Sequence, residues 1–465
     1  MSTYDVLVIG AGPAGYVAAI RASQLGQKVA VVEKEYMGGV CLNVGCIPSK
    51  SLLKNAEVAH TLRERGKEFG FSFDNLKLDY GAAVKRSRQV SNRLTKGVDF
   101  LMRKNEIEVH KGTARLTAKD TLQVMDADGQ TSELKAKNIV IATGASPFII
   151  PGVEVDGKQV LTYKEAILQE HLPKSVLIIG AGAIGAEFAT IWNAYGVPVT
   201  LVEMLDRVLP NEDEEVSQEL AKAFKKKKIT VKTSSKVTGV ERLKDSVQIK
   251  VEGESGEETL EADQVLMAVS FIPNSQDLGL EEVGVDLDSR GFIEIDERMA
   301  TNVPGIWAIG DVTGKLMLAH AGMAMGVVCA ENIAGVDTVT LHYQNMPKAT
   351  YCQPQVASFG MTEAQAREAG HEVKVGRFNF QANGKALGLG DYAGWVKIVV
   401  DAKTSEILGA HMVGPEVTEL LPELTLAQQM KLTPADIARN IHAHPTLSEV
   451  LAEAAEAALG YAIHG

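Results

Sequence analysis

Val6-Leu7-Val8-Ile9-Gly10-Ala11-Gly12-Pro13-Ala14-Gly15 and Val176-Leu177-Ile178-Ile179-Gly180-Ala181-Gly182-Ala183-Ile184-Gly185 are two copies of one pattern, 170 positions apart. In each, a short apolar run of the kind that forms a buried strand enters G-x-G-x-x-G and continues into a helix-compatible stretch, Tyr16–Leu25 or Ala186–Tyr195. Each stretch stops at a glycine, Gly26 or Gly196, in the position that favours a left-handed backbone. A second apolar run then ends in Glu33 or Glu203, both 23 positions after the first glycine of their motif. The first glycine of such a unit permits a tight turn, the second lets a pyrophosphate approach the backbone, and the third lets helix and strand pack closely. The helix N-terminus supplies free N–H groups to the phosphates, and the closing glutamate is placed to accept from ribose hydroxyls. A lone glycine motif is weak evidence; strand, helix, stop and acid repeated in one register are not. Two dinucleotide sites on one chain point to electron transfer between FAD and a nicotinamide. Glu203 would repel a 2′-phosphate and favours NAD over NADP, while Arg207 close by is the residue that argues the other way.

Around these units the pattern changes. Leu134–Ile141 reads as a strand ending in Ala142-Thr143-Gly144. The stretch 230–268 alternates polar and apolar residues around Gly253-Glu254-Ser255-Gly256 and reads as antiparallel strands. An apolar strand then ends in Gly310-Asp311, which aims one carboxylate at a cofactor hydroxyl, and a helix-like run extends from residue 317 to about Asn332. The last part differs in character. Strand patterns at Val373–Phe380 and Gly394–Val400 precede helical runs at Glu416–Met430 and Thr446–Gly460, as in an α+β domain.

The chain has 465 residues, of which 45% are hydrophobic and 23% charged, a globular balance. A net charge of −12 argues against a nucleic-acid binder. No stretch has the length of a membrane span, and no basic leader is visible. The expected location is the cytoplasm, with a mature organelle-matrix protein as the other case. Four cysteines are too few for a disulfide scaffold. Two of them stand five apart in Gly38-Gly39-Val40-Cys41-Leu42-Asn43-Val44-Gly45-Cys46-Ile47-Pro48-Ser49-Lys50. Three readings of Cys41 and Cys46 remain at this point. They form a reversible disulfide, with Gly45 easing the distorted turn; they are inert buried thiols; or they bind a metal, for which no further ligands stand at suitable spacing. No metal site is expected.

The cysteine segment resembles the redox-active disulfide of the pyridine nucleotide-disulfide oxidoreductases, in the wording of the branch that oxidises dihydrolipoyl groups. The resemblance extends over the whole chain, through both glycine motifs, Ala142–Gly144, Glu187, Gly310-Asp311 and His442-Ala443-His444-Pro445-Thr446-Leu447-Ser448-Glu449. It implies an α/β chain with two Rossmann-like dinucleotide-binding domains and a C-terminal α+β dimerisation domain. The boundaries expected are 1–147 for the first part of the FAD domain, 148–273 for the NAD domain, 274–345 for the rest of the FAD domain, and 346–465 for the interface domain. FAD would lie on Gly10, Gly12, Gly15, Glu33, Lys50, Thr143, Gly144, Gly310 and Asp311, and NAD on Gly180, Gly182, Gly185, Glu187 and Glu203.

The resemblance also implies roles. Cys46 becomes the flavin-side sulfur and Cys41 the sulfur that exchanges with substrate. Lys50 sits near the flavin paired with Glu187, which is also placed as an ordinary first-turn acid. His444 becomes the general base, oriented by Glu449 and meeting Cys41 across a homodimer. Locally, Thr446-x-x-Glu449 is also a capping box, and His442 reads as structural. Cys329 and Cys352 read as inert thiols. Two segments depart from the family pattern: Ser270-Phe271 stands where Gly-Arg is usual, and Ala321–Met325 lacks the usual charges. The expected activity is FAD-dependent oxidation of protein-bound dihydrolipoyl groups with NAD+, on a lipoylated carrier of a 2-oxo acid complex or of glycine cleavage. The alternatives are a reductase of another disulfide or small thiol, and a flavin-binding assembly component.

Overall fold

A computed structural model describes residues 2–254 and 256–464; Ser255 of the expected turn lies outside the described residues. Both repeated units fold as the pattern requires. In the first, Ser2–Ile9 lies between Val29–Glu33 and Thr131–Ile141, parallel to both. Glu108–Lys111 extends the sheet beyond Val29–Glu33. Ile306–Ala308 pairs in parallel with Thr131–Ile141, so residues on both sides of the second unit share one sheet. In the second unit Val176–Ile179 lies between Val199–Val202 and Gln264–Met267, again parallel. Each central strand feeds a helix: Pro13–Gln24 and Ala183–Ala194. The helices begin one turn earlier than the apolar pattern suggests because the second glycine is itself the cap, with Pro13 favoured at the first helical position. Gly26 and Gly196 close them with φ of 84° and 90°.

The stretch 230–268 is corrected in part. Its middle is the expected antiparallel meander Lys236–Arg242, Val247–Gly253 and Gly256–Ala262. Its two ends, Thr230–Lys232 and Gln264–Met267, are parallel strands of the second unit. Gln264–Met267 is buried along its whole length, and strands covered on both faces lose the alternation that marks a half-exposed sheet.

The chain crosses between the two units twice, and the crossings pair with each other. Ala145–Pro147 lies antiparallel to Phe271–Pro273. Asn274 locks this ribbon: its Nδ2 donates to the Thr143 carbonyl at 2.9 Å, and the Thr143 hydroxyl donates to the Asn274 carbonyl at 2.7 Å.

The C-terminal sheet is antiparallel, in the order Lys348–Thr350, Gln355–Gly360, Ile407–Gly414, Trp395–Asp401, Val373–Asn379. Helices Val417–Gln429 and Glu449–Leu459 cover it. One rung is polar across all five strands: Lys348, Ser358, His411, Lys397 and Arg377. It faces the acidic start of helix Glu214–Lys226 in the second unit. Lys397, only 3% exposed, reaches Asp213 at 3.1 Å, Glu215 at 2.6 Å and Glu363 at 3.1 Å. A buried ammonium is tolerated because these carboxylates surround it. Among the described residues no helix is long and apolar enough to cross a membrane.

Candidate active site

The two glycine motifs do the same geometric work. A Cβ on Gly10 would stand 2.4 Å from the Ala142 carbonyl oxygen, and one on Gly180 would stand 2.4 Å from that of Ala268. On Gly15 and Gly185 it would stand 1.9 and 2.0 Å from the carbonyl oxygen of the motif's own first glycine. These four positions exclude any side chain. The second glycines differ. A Cβ on Gly182 meets nothing within 4 Å, and one on Gly12 meets only Gly39 Cα at 4.0 Å. They leave open space above a helix N-terminus without a side-chain cap, the geometry in which a pyrophosphate can approach the backbone.

The closing glutamates brace these loops. Glu33 accepts from the Ala11 N–H at 2.6 Å and from the Glu35 N–H at 2.7 Å. Glu203 accepts from the Ala181 N–H at 2.7 Å and the Leu205 N–H at 2.9 Å. Each carboxylate therefore fixes the turn between the first and second glycines, a function the spacing alone does not announce. Among the described residues Arg207 comes no nearer to a carboxylate than 3.7 Å, to Asp206.

Gly310 opens a short turn at φ 74°, and Asp311 follows within it. The Asp311 carboxyl has no hydrogen bond or ion pair among the described residues, and burial pushes it up to about 6. A desolvated acid without a partner is suited to a ligand hydroxyl. Helix Ala319–Ala334 packs on helix Pro13–Gln24 through small residues: a Cβ on Gly322 would stand 3.2 Å from Ala14 Cβ, and one on Gly326 would stand 2.6 Å from the Ala14 carbonyl oxygen. Ala321 and Met325 are fully buried and have no room for a charge, while nothing in the structure explains its absence at half-buried Met323 and Ala324. Phe271, in the other departure, packs against Tyr163 with ring centroids 6.1 Å apart.

The cysteines lie on two helices. Cys41 is in Gly39–Asn43, and Cys46 is the first residue of the 19-residue helix Cys46–Glu64. Gly45 makes the junction possible, since a Cβ there would stand 2.9 Å from the Val40 carbonyl oxygen and 3.2 Å from Cys41 Cα. Both are free thiols. Neighbouring Cys46 and burial together push the Cys41 thiol up. Neighbouring Cys41 and the Lys50 charge lower Cys46 against the cost of burial. A helix N-terminus adds to the preference for a thiolate at Cys46.

Lys50 Nζ donates to both oxygens of Glu187 at 2.8 Å, joining the cysteine helix to the second unit. Burial alone would depress the Lys50 ammonium; Glu187, with Cys46, outweighs it and holds the group above its ordinary value. Two residues that no sequence pattern singled out complete this region. Arg88, on helix Tyr80–Lys104, donates to the Asn43 carbonyl between the two cysteines. Tyr351 touches both Lys50 and Glu187.

His444 stands apart. Its side chain is 78% exposed, and Nδ1 lies 2.9 Å from Glu449 Oε1. No hydrogen bond or ion pair joins it to Cys41 or Cys46 among the described residues. Glu449 Oε2 also accepts from the Thr446 N–H at 2.8 Å. That is half of the expected capping box; the helix starts later, at Glu449 with Ser448 as its cap. His442 is buried on Glu423 at 2.9 Å, a structural setting. Ile441, three residues before His444, is 95% exposed, and Leu426, Met430 and Ile463 of the same C-terminal part are exposed as well.

Residues 4–326 match the family described as pyridine nucleotide-disulphide oxidoreductase, and residues 346–455 match its dimerisation domain. The chain is 52% identical over 468 residues to the dihydrolipoyl dehydrogenase of Mycobacterium leprae, with 100% of both chains covered. It is 50% identical over 467 residues to that of Corynebacterium glutamicum, with 99% of both covered. The crystal structure of LpdA from Mycobacterium tuberculosis has a TM-score of 0.91 at 26% identity, covering 98% of this chain and 99% of that one.

Proposed function

The chain belongs to the pyridine nucleotide-disulphide oxidoreductase family, and on that premise we propose that it oxidises protein-bound dihydrolipoyl groups with NAD+ through the Cys41–Cys46 pair. The observation that carries this reading is the pair itself: two free thiols on either side of Gly45, with Cys46 opening a helix four residues before the ammonium of Lys50, which is bonded to Glu187 of the second unit. The activity is that of a dihydrolipoyl dehydrogenase, the name of its full-length relatives. FAD fits the first unit, on Gly12, Glu33, Lys50, Thr143 and Asp311, and NAD the second, on Gly182, Glu187 and Glu203. Held by these residues, FAD and NAD would supply the two-electron chemistry that reoxidises the dithiol pair.

The chain's own residues account for the dithiol half. His444 removes a proton from one substrate thiol, and the resulting thiolate attacks the Cys41 sulfur. The Cys41–Cys46 bond breaks and Cys46 leaves as a thiolate, stabilised by Lys50 and the helix N-terminus. His444 passes its proton to the departing Cys41 sulfur and takes that of the second substrate thiol, whose sulfur attacks the substrate sulfur of the mixed disulfide. Lipoyl disulfide departs, leaving one proton on Cys41 and one on His444. Glu449 orients the His444 ring and stabilises its cation, as a carboxylate does for an imidazole base. Exposed His444 serves the cysteines of a second copy of the chain, so each subunit alone is incomplete. The braced Glu203 carboxylate favours NAD+ over NADP+. The partner is a lipoylated carrier, and the location is the cytoplasm. Initial rates with dihydrolipoamide and with lipoylated carriers, NAD+ and NADP+ in parallel, test the reading. Turnover with NAD+ is expected; reduction of an unrelated disulfide without any dihydrolipoamide oxidation would refute it.

A further inference from the structure

The Lys50–Glu187 pair has a third member. Tyr351 follows the strand Lys348–Thr350. Its backbone N–H donates to Glu187 Oε1 at 3.1 Å, and its ring centroid lies 4.6 Å from Lys50 Nζ. Three parts of the chain thus meet on one ammonium. Helix Cys46–Glu64 carries Cys46 and Lys50 four positions apart, and so on one face. Helix Ala183–Ala194 carries Glu187. The third part is the segment that opens the C-terminal sheet.

That segment is held from its far side as well. Thr350 and Cys352 are buried, and Lys227 Nζ donates to Gln353 Oε1 at 2.7 Å. The Tyr351 phenol makes no hydrogen bond among the described residues, so the ring, not the hydroxyl, is the part in use. A ring face beside the ammonium restricts where it can go.

We propose that Tyr351 is a positioning residue of the dithiol centre, whose ring and backbone N–H hold the Lys50–Glu187 pair so that the ammonium stays beside the Cys46 sulfur. The inference rests on the reading of Cys46 as the cofactor-side sulfur. A fixed cation there favours thiolate over thiol; a Lys50 free to swing into water favours it less.

The test uses the flavin-loaded Cys41→Ser protein, in which Cys46 is the lone thiol of the pair. Its ionisation is read from the visible spectrum of the adjacent flavin as pH is varied. Tyr351→Leu removes the ring and keeps the backbone N–H, and should raise the ionisation midpoint by about half a pH unit. Tyr351→Phe keeps the ring and should leave the midpoint within about 0.1 unit of the parent. With Lys50→Met already present, removing the ring should add no further shift. Tyr351→Met replaces the leucine variant if that one fails to retain flavin. An unmoved midpoint without the ring, an equal shift in Tyr351→Phe, or a full additional shift on Lys50→Met each overturns the proposal. The absence of any pH-dependent flavin signal would instead count against the reading of Cys46 itself, and the proposal would fall with it.

Discussion

Gly182 separates nucleotide binding from folding in one substitution. Its backbone, φ −72° and ψ −171°, is one that alanine adopts freely. The added methyl group meets nothing within 4 Å. Losing glycine at a helix cap costs roughly 0.5–1 kcal/mol, and the stiffer unfolded chain returns about 0.4–1 kcal/mol. Gly182→Ala should therefore change stability by no more than about 0.5 kcal/mol. The methyl group nevertheless fills the space where the pyrophosphate must approach the backbone. Loss of one or two charge-assisted hydrogen bonds, about 1.5–3 kcal/mol each, weakens NADH binding at least tenfold. Gly185→Ala, three residues on, is the control. Its Cβ would stand 2.0 Å from the Gly180 carbonyl oxygen, so helix and strand must part, at a cost of about 3 kcal/mol or more. Urea unfolding together with NADH titration distinguishes the two. Reduction of the flavin by dihydrolipoamide, which does not use this unit, should survive in Gly182→Ala. Unchanged NADH affinity in Gly182→Ala, or equal destabilisation by both variants, would refute the reasoning.

Three further outcomes follow from other parts of the structure. Cys41→Ser should abolish dithiol turnover yet leave flavin reduction by NADH intact, as stopped-flow measurement of each half would reveal; surviving dithiol turnover removes Cys41 from its role. Asp311 is held at about 6 in the folded chain, above its unfolded value of 3.8, so the flavin-free protein loses stability as pH rises between those values. Asp311→Asn should then stabilise flavin-free protein by on the order of 2 kcal/mol at pH 8 and by almost nothing near pH 4, and equal urea midpoints at pH 8 would contradict this. Lys397→Met leaves Asp213, Glu215 and Glu363 without their shared cation. It should cost about 3–5 kcal/mol in chemical denaturation, and a loss under about 1 kcal/mol would mean that the polar rung is not holding the second unit.

The parts of this fold that were legible in the sequence are those where backbone geometry permits only one residue type. Gly10, Gly15, Gly180 and Gly185 are forced by carbonyl oxygens within 2.4 Å of a Cβ, so the motif and the topology come together. The cysteine segment was different: its spacing left three readings open and only the family resemblance chose between them, while the fold adds Gly45 pressed against Val40 and Cys41. What stayed hidden depends on long-range packing. Gln264–Met267 reads like its meander neighbours until the second unit covers both its faces. Lys397 looks like any strand lysine until its two neighbouring strands and the helix at Glu214 enclose it. Tyr351 carries no local signal, because its partners are about 300 and 164 positions away. Spacing singled out Glu33 and Glu203 for ribose hydroxyls but not for the backbone N–H groups they brace, which come together only once the loop is folded.

Mixing two inactive variants tests most directly whether the dithiol centre is completed by a second chain. Cys41→Ser retains His444, and His444→Gln retains Cys41. Equal amounts, dissociated and allowed to reassociate at random, give half heterodimers, each with one intact Cys41–His444 combination if the site spans the interface. The account predicts dihydrolipoamide-dependent NADH formation at about one quarter of the unaltered rate. A mixture as inactive as its components, with heterodimers demonstrably formed, would place His444 and Cys41 on the same chain's site and contradict it.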